Sequence, residues 1–375
     1  MPVLQYLTTT HFDFGAVKLL ATELARLGVK RPLIATDKGV VAAGLIDRVL
    51  APMAPRPDWP VFDETPGNPT EAATLQALAL YQAQGCDGVI CVGGGSSMDL
   101  GKAVALLAVS GLPLAQFDPQ KGGAKNIKGV APVIAIPTTA GTGSEVSVGF
   151  VIVMNSGQKM TFANPLIIPK IAICDPELTL GLPPLLTAAT GMDAMTHCIE
   201  AVLTPTVNPP AEGVGYDGLW RSWKWIRRAV QNPQDRDARW HMMMASTEGA
   251  MAFVKGLGAV HAMSHAAGRL PELRLHHGTL NAVILPTVLR YHEGHATEKY
   301  ERLRSAMGLA AGADLAVAIE SLNAEIGLPK GLRAMGLTDQ HLPDLIPYAL
   351  ADLANFGNPR KAGADDYLAL FKAAM

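Results

Sequence analysis

Cysteine is scarce in this chain, and charge of neither sign is in surplus. The four cysteines, Cys86, Cys91, Cys174 and Cys198, form no CxxC pair, which argues against a disulfide framework or a thiolate zinc ribbon. Cys91 and Cys174 fall in apolar runs that read as buried strands. A net charge of −2 gives no electrostatic reason to expect nucleic acid or an anionic membrane as partner. No apolar run approaches the roughly 20 residues of a membrane span. The N-terminal stretch MPVLQYLTTTHFDFG lacks a basic segment followed by an apolar one. A soluble, cytoplasmic chain is expected. What is plentiful is apolar material: 49% of 375 residues are hydrophobic and 17% charged, enough for large cores and, at this length, for two domains.

Residues 1–180 alternate between strand and helix patterns. Helix signals run over Val17–Leu27, Val40–Leu50, Thr70–Gln84 and Leu100–Val109. Short apolar runs separate them at Pro32–Thr36, Trp59–Phe62, Gly88–Val92 and Pro132–Ile136. This alternation implies a mostly parallel sheet with helices on both faces, in which ligands bind beyond the carboxyl ends of the strands. Those ends carry Asp37, the stretch DETPGNPT with Asn68, GGGSSMD from Gly93, and PTTAGTGSE from Pro137. Ordinary turn chemistry explains any one of them; two glycine-rich loops in one domain suggest a ligand. Gly93, Gly94 and Gly95 would let an anion approach the backbone at a helix start, and a pyrophosphate fits there. The loop is neither G-x-G-x-x-G nor a P-loop. Lys102 lies one turn inside the helix, which disfavours a Walker-type ATPase. Asp37 could accept hydrogen bonds from an adenosine ribose and would repel a 2′-phosphate, favouring NAD over NADP.

Beyond LPP at Leu182–Pro184, strand patterns disappear and long helix patterns take over, so a boundary between 1–181 and 182–375 is expected. The basic-aromatic run Trp220–Arg228, WRSWKWIRR, could face a nucleic acid. The 4, 3, 4 spacing of Leu219, Trp223, Ile226 and Val230 instead reads as a buried helix stripe with the basic residues outward. Four of the ten histidines lie between Gly256 and Gly278. His261 and His265 are four apart, as are Asp193 and His197 upstream, so each pair shares a helix face. Two such pairs suggest one metal site on packed helices; core or helix-end histidines are the other reading that spacing leaves open.

Together these motifs resemble the iron-containing (group III) alcohol dehydrogenase family. The resemblance is carried by GGGSSMDLGKA from Gly93, PTTAGTGSE from Pro137, DPELTLGLPP from Asp175, TAATGMDAMTHCIEA from Thr187, GLGAVHAMSH from Gly256, HHGTLNAVILP around His277, and NPR from Asn358. It spans about Asp37 to Arg360. The fold it implies is an α/β N-terminal domain with a Rossmann-like parallel sheet plus an all-α helical-bundle C-terminal domain, the dehydroquinate synthase-like architecture. Metal and nicotinamide would meet in a cleft between the two. Carried over residue by residue, the resemblance implies a metal held by Asp193, His197, His261 and His277, with His276 as the alternative to His277. His265 matches a nearby histidine that could relay a proton. On the cofactor side it implies Asp37 and Asn68 near the adenosine, Gly94, Gly95, Ser96 and Asp99 at the pyrophosphate, Thr138, Thr139, Thr142 and Ser147 nearer the nicotinamide, and Lys159 at a ribose. Phe150 and Phe253 would be pocket walls. One carboxylate and three imidazoles suit Fe(II), and Zn(II) as well.

The implied activity is NAD-dependent hydride transfer between a small primary alcohol and its aldehyde. Lys255, Arg269 and Arg274 lie in or beside the metal segment. Cations there could bind an acidic substrate tail, as in 4-hydroxybutyrate and succinic semialdehyde; solvated surface charge is the plain alternative. A glycerol dehydrogenase-like polyol oxidoreductase, a dehydroquinate synthase-like lyase and a non-catalytic nucleotide-binding protein of this fold are the rival readings. The segment before Phe12 is expected to form an edge strand that pairs with another subunit, giving a homodimer or larger homo-oligomer.

Overall fold

The computed structural model describes residues 8–53 and 55–375. The described residues fall into two compact units, one formed by 8–139 with 143–181, the other by 182–375 with 140–142.

The first unit is built on one parallel sheet. Its strands are β1 (Thr9–Phe12), β2 (Pro32–Ala35), β3 (Val61–Phe62), β4 (Gly88–Gly93), β5 (Val133–Pro137) and, last in sequence, β8 (Ile171–Cys174), in the order β1-β8-β5-β4-β2-β3. The helices that alternate with them are α1 (Leu20–Leu27), α2 (Lys38–Ala42), α3 (Leu45–Leu50), α4 (Glu71–Ala83) and α5 (Gly95–Ser110). Strands β2, β4, β5 and β8 are buried along their whole length, as expected where helices cover both sheet faces. Side chains divide by the strand period of two. Leu33, Ala35, Val89 and Cys91 join one core, while Ile34, Ile90, Val92, Ile134 and Ile136 join the other. An antiparallel hairpin of β6 (Gly149–Val153) and β7 (Lys159–Ala163) stands apart from the sheet.

Two expectations need correction. The Val40–Leu50 signal is two short helices, because Gly44 between them adopts a left-handed φ of 69°, a conformation that ends a helix and favours glycine. The last helix of the unit begins at Gly95, five residues before its apolar signal at Leu100, since its first turn is polar and glycine-rich. The segment before Phe12 was expected to form an edge strand; residues 1–7 of it lie outside the described residues, and β1 stands at the edge of the sheet, paired in parallel with β8.

The second unit is helical: α6 (Pro184–Leu203), α7 (Pro209–Gln231), α8 (Arg236–Ala252), α9 (Ala259–Ala267), α10 (His277–His292), α11 (Thr297–Ala306), α12 (Leu315–Glu325), α13 (Leu342–Ala351) and α14 (Ala364–Ala374). Helix α6 is the axis. From Thr187 to Leu203 every residue is buried, the signature of a helix enclosed on all sides, and α7, α8 and α10 pack on it. In the basic-aromatic run, Leu219 and Ile226 are fully buried, whereas Trp223 and Val230 are half-buried. Its three arginines are ion-paired, Arg221 with Asp217 and Glu248, Arg227 with Glu325, and Arg228 with Asp235, while Lys224 lies over the Trp220 and Trp225 rings. Among the described residues no helix is long and apolar enough to cross a membrane.

Candidate metal centre and nucleotide loop

Helix α6 presents Asp193 and His197 one turn apart, α9 presents His261 and His265, and His277 is the first residue of α10. Around Asp193 Oδ1 stand His197 Nε2 at 3.8 Å, His261 Nε2 at 3.8 Å and His277 Nε2 at 3.6 Å. Donors about 2.1 Å from a common tetrahedral ion are roughly 3.4 Å apart; Asp193, His197 and His261 form a group suited to a divalent cation, with ligand atoms within 4.8 Å of one another, and His277 approaches it beside Asp193. Asn281 gives an independent sign of the same demand. Its Nδ2 donates to Asp193 Oδ1 at 2.7 Å and lies 3.2 Å from Nε2 of both His261 and His277. Acceptor atoms thus converge on a point that calls for positive charge. Asp193, His197 and His261 are 3%, 3% and 1% exposed. Burial pushes the His197 imidazole down to about 4, with the Asp193 charge opposing it, so the ring is neutral and able to ligate. His276 caps α10 with its ring beside Thr279 Oγ1, on the exposed side.

Sequence reasoning missed two carboxylates here, one behind His261 and one behind the neighbouring His265. Glu200, two turns beyond Asp193 on α6, accepts from His261 Nδ1 at 2.5 Å and from the Val260 N–H at 2.7 Å. The proton is thereby fixed on Nδ1 and Nε2 is left for a ligand role. Burial lowers the His261 pKa, but the Glu200 hydrogen bond and charge outweigh it and the net shift is upward. Asp352, at the end of α13, accepts from His265 Nδ1 at 2.9 Å. No sequence signal marked Asp352. Glu200 sits in the THCIEA run, where its place one turn past His197 was the available clue. Phe253 packs edge-on against His197, ring centroids 5.0 Å apart.

In the α/β unit, β4 ends at Gly93, whose φ of 154° and lack of a side chain matter. A Cβ there would lie 2.6 Å from Ser97 Oγ. Gly94 is the N-cap of α5 and Gly95 its first residue. Asp37 caps α2 by accepting from the Val40 N–H, and its other oxygen accepts from Ser97 Oγ at 3.2 Å. Lys159 Nζ donates to Asn68 Oδ1 at 3.0 Å, and Ser96 Oγ to the Gly67 carbonyl. The Thr138 N–H donates to the Gly93 carbonyl, and Thr139 Oγ1 borders Gly94. The Ser147 hydroxyl accepts from the Gly149 N–H, and Thr142 is half-buried.

Several expected site residues stand elsewhere. Asp99 is buried, and its carboxylate accepts from Ser144 Oγ and the Val151 N–H, bracing β6. Lys102, also buried, donates to Ser144 Oγ and to the carbonyls of Ser147 and Gly149. Phe150 is a core residue stacked on Phe162 across the hairpin, not a pocket wall. Lys255 is committed to Glu212 at 2.5 Å and to the Val202 carbonyl, with its side chain fully buried. It is not a cation waiting for substrate. Arg274 is exposed with φ of 47°. Arg269 lies flat on Tyr348, 3.2 Å from its ring centre, one turn past His265.

An α/β unit with a glycine-rich helix start, and a helical unit with one carboxylate and three imidazoles, define a nucleotide-using metalloenzyme. Comparison with known proteins makes this specific. Residues 8–176 match the family model described as iron-containing alcohol dehydrogenase, and residues 187–375 match the C-terminal model of the Fe-containing alcohol dehydrogenase family. The chain is 50% identical to a 4-hydroxybutyrate dehydrogenase of Cupriavidus necator over 100% of both chains. A solved 1,3-propanediol oxidoreductase superposes with a TM-score of 0.92 at 32% identity, covering 100% of each chain. A sulfoacetaldehyde reductase of Bifidobacterium kashiwanohense, solved with NAD+, superposes with a TM-score of 0.88 at 25% identity, covering 100% of this chain and 98% of its own. The chain belongs to the iron-containing alcohol dehydrogenase family and is an NAD-dependent oxidoreductase.

Proposed function

We propose that the chain interconverts a short primary alcohol carrying an acidic tail and the matching aldehyde, of the 4-hydroxybutyrate and succinic semialdehyde type. The observation that carries this reading is the identity of 50%, over both full lengths, to a protein named for 4-hydroxybutyrate. A neighbour named for sulfoacetaldehyde, another short aldehyde with an acid group, supports it.

Asp193, His197, His261 and His277 hold the metal, Fe(II) or alternatively Zn(II). Bound there, it supplies Lewis acidity toward the substrate oxygen, and NAD(H) supplies or accepts the hydride. The chain's own residues do the remainder. His265 takes the alcohol proton on Nε2 during oxidation and returns it during reduction. Phe253, against the His197 ring, keeps water from that side of the metal residues. Arg269 is oriented by Tyr348 beneath it and receives the substrate carboxylate through a charge-assisted hydrogen bond. Of the three cations in this region it suits the role best, since Lys255 is neutralised by Glu212 and Arg274 is exposed. Asp37, Asn68, Lys159 and the start of α5 hold the cofactor. The chain works in the cytoplasm as a homodimer or larger homo-oligomer.

The test is an anaerobic NADH-oxidation assay on Fe(II)-loaded and Zn(II)-loaded protein. Succinic semialdehyde is set against butanal. The acid-tailed substrate should be preferred, and Arg269→Ala should cost it roughly 10-fold or more in kcat/KM, about the loss of one charged hydrogen bond, while leaving butanal unchanged. Equal efficiency on the two aldehydes in the wild type removes the acid-tail reading.

A further inference from the structure

The relay role of His265 leaves open what fixes the state of its ring. We propose that Asp352 is the positioning residue of His265, holding the proton on Nδ1 so that Nε2 is the nitrogen that exchanges a proton with substrate. This rests on the proposed function, and the experiment below separates the two.

A neutral imidazole has two tautomers, and only the nitrogen without a proton can accept one. Asp352 Oδ2 lies 2.9 Å from His265 Nδ1. An ionised carboxylate only accepts, so Nδ1 must carry the hydrogen. The carboxylate is itself held: Oδ1 accepts from the Ala354 N–H at 2.8 Å, where Asp352 caps the turn Leu353–Gly357. Both side chains are nearly buried, at 10% and 9% exposed, so water competes little for the bond. The other face of the problem is the ring plane. His265 stacks on His277 with centroids 5.2 Å apart and planes 17° apart, and meets His261 edge-on at 5.8 Å. Pinned at Nδ1 and stacked against one metal residue, the ring has little freedom to turn. Bound NAD+ would accept the hydride from the alcohol carbon, and His265 Nε2 would take the hydroxyl proton. The imidazolium that forms stands beside the Asp352 charge, and the same proton returns when the aldehyde is reduced.

A merely structural Asp352 would tie the end of α13 to α9 and nothing more. The two roles differ in measurable ways. In the metal-loaded enzyme, Asp352→Asn should lower kcat roughly 10- to 100-fold, the usual effect of removing a carboxylate behind an active histidine. The KM for NADH, the metal content and the thermal midpoint should stay at wild-type values. In a His265→Ala background the same substitution should cost less than about twofold, because the two residues act as one unit. Histidine 15N shifts of the Zn(II)-loaded protein should show His265 protonated at Nδ1, and a mixture of tautomers in Asp352→Asn. Asp352→Ser provides a second variant if the first does not fold, with the same expected shifts. A full-size effect of Asp352→Asn in the His265→Ala background overturns the proposal, as does an Nε2–H tautomer in the wild type. Wild-type turnover by His265→Ala overturns the relay as well.

Discussion

At the scale of single residues, two carboxylates stand behind the histidines of the candidate site, Glu200 at His261 and Asp352 at His265. Asp193 with His197, and His261 with His265, announce themselves by spacing, because a helix turn brings each pair to one face. Their supports do not. Glu200 lies 61 residues from His261 and Asp352 lies 87 from His265, so no local spacing ties either carboxylate to the histidine it holds. Glu200→Gln should weaken metal binding roughly 10- to 100-fold, because the carboxylate charge behind His261 is lost and one amide oxygen cannot serve both the Val260 N–H and His261 Nδ1. Equilibrium dialysis with Zn(II) checks this, and unchanged affinity would reduce Glu200 to a helix cap. His292 carries a pH prediction. It is buried with Nε2 beside Asn358 Oδ1, and burial pushes its pKa down to about 4. The unfolded chain's histidine takes up its proton near 6.5. Between these values the unfolded state binds more protons, so stability is highest above about pH 6.5 and falls as pH drops toward 4. His197 contributes in the same direction in metal-free protein. Urea midpoints measured across this window should decline more gently in His292→Gln than in wild type.

At the scale of elements, the alternating pattern of the first unit was readable because each buried strand is a short apolar run closed by a turn residue. The hairpin β6–β7 was not, since its burial alternates between buried and half-buried and its glycine lies at the strand start. How closely two helices approach also escapes a single sequence. Gly278 lies one residue after His277, and a Cβ at Gly278 would stand 2.2 Å from the Ala189 carbonyl of α6. That contact sets the separation of α10 from α6, and with it the distance from His277 to Asp193. Gly278→Ala should therefore destabilise the fold by ~1–3 kcal/mol and also lower metal affinity, since the backbones cannot close. A chemical-denaturation curve and a metal titration on the same variant decide it. Destabilisation with metal affinity intact would mean that α10 tilts about its far end and keeps His277 in place.

At the scale of the whole molecule, the division of labour follows from chemistry that each unit owns. Every residue assigned to the metal belongs to the helical unit, and the glycine-rich turn with Asp37 and the start of α5 belongs to the α/β unit. A ligand that binds only the native state stabilises it by an amount that grows with the logarithm of its concentration over its dissociation constant, about 2.7 kcal/mol at a hundredfold excess. That stabilisation is felt in segments whose opening breaks the site. Hydrogen exchange on metal-free protein should then respond in two separate places. Zn(II) or Fe(II) should slow exchange in α6, α9 and the first turns of α10, whereas NAD+ without metal should slow it at the end of β4 and the start of α5. Protection of α9 by metal has a specific route, because its first amides are held by Asn358 and Glu200, and Glu200 also holds His261. Metal protection that spares α9, or appears first in the β4–α5 turn, would show that the ion binds to another set of residues than the four proposed.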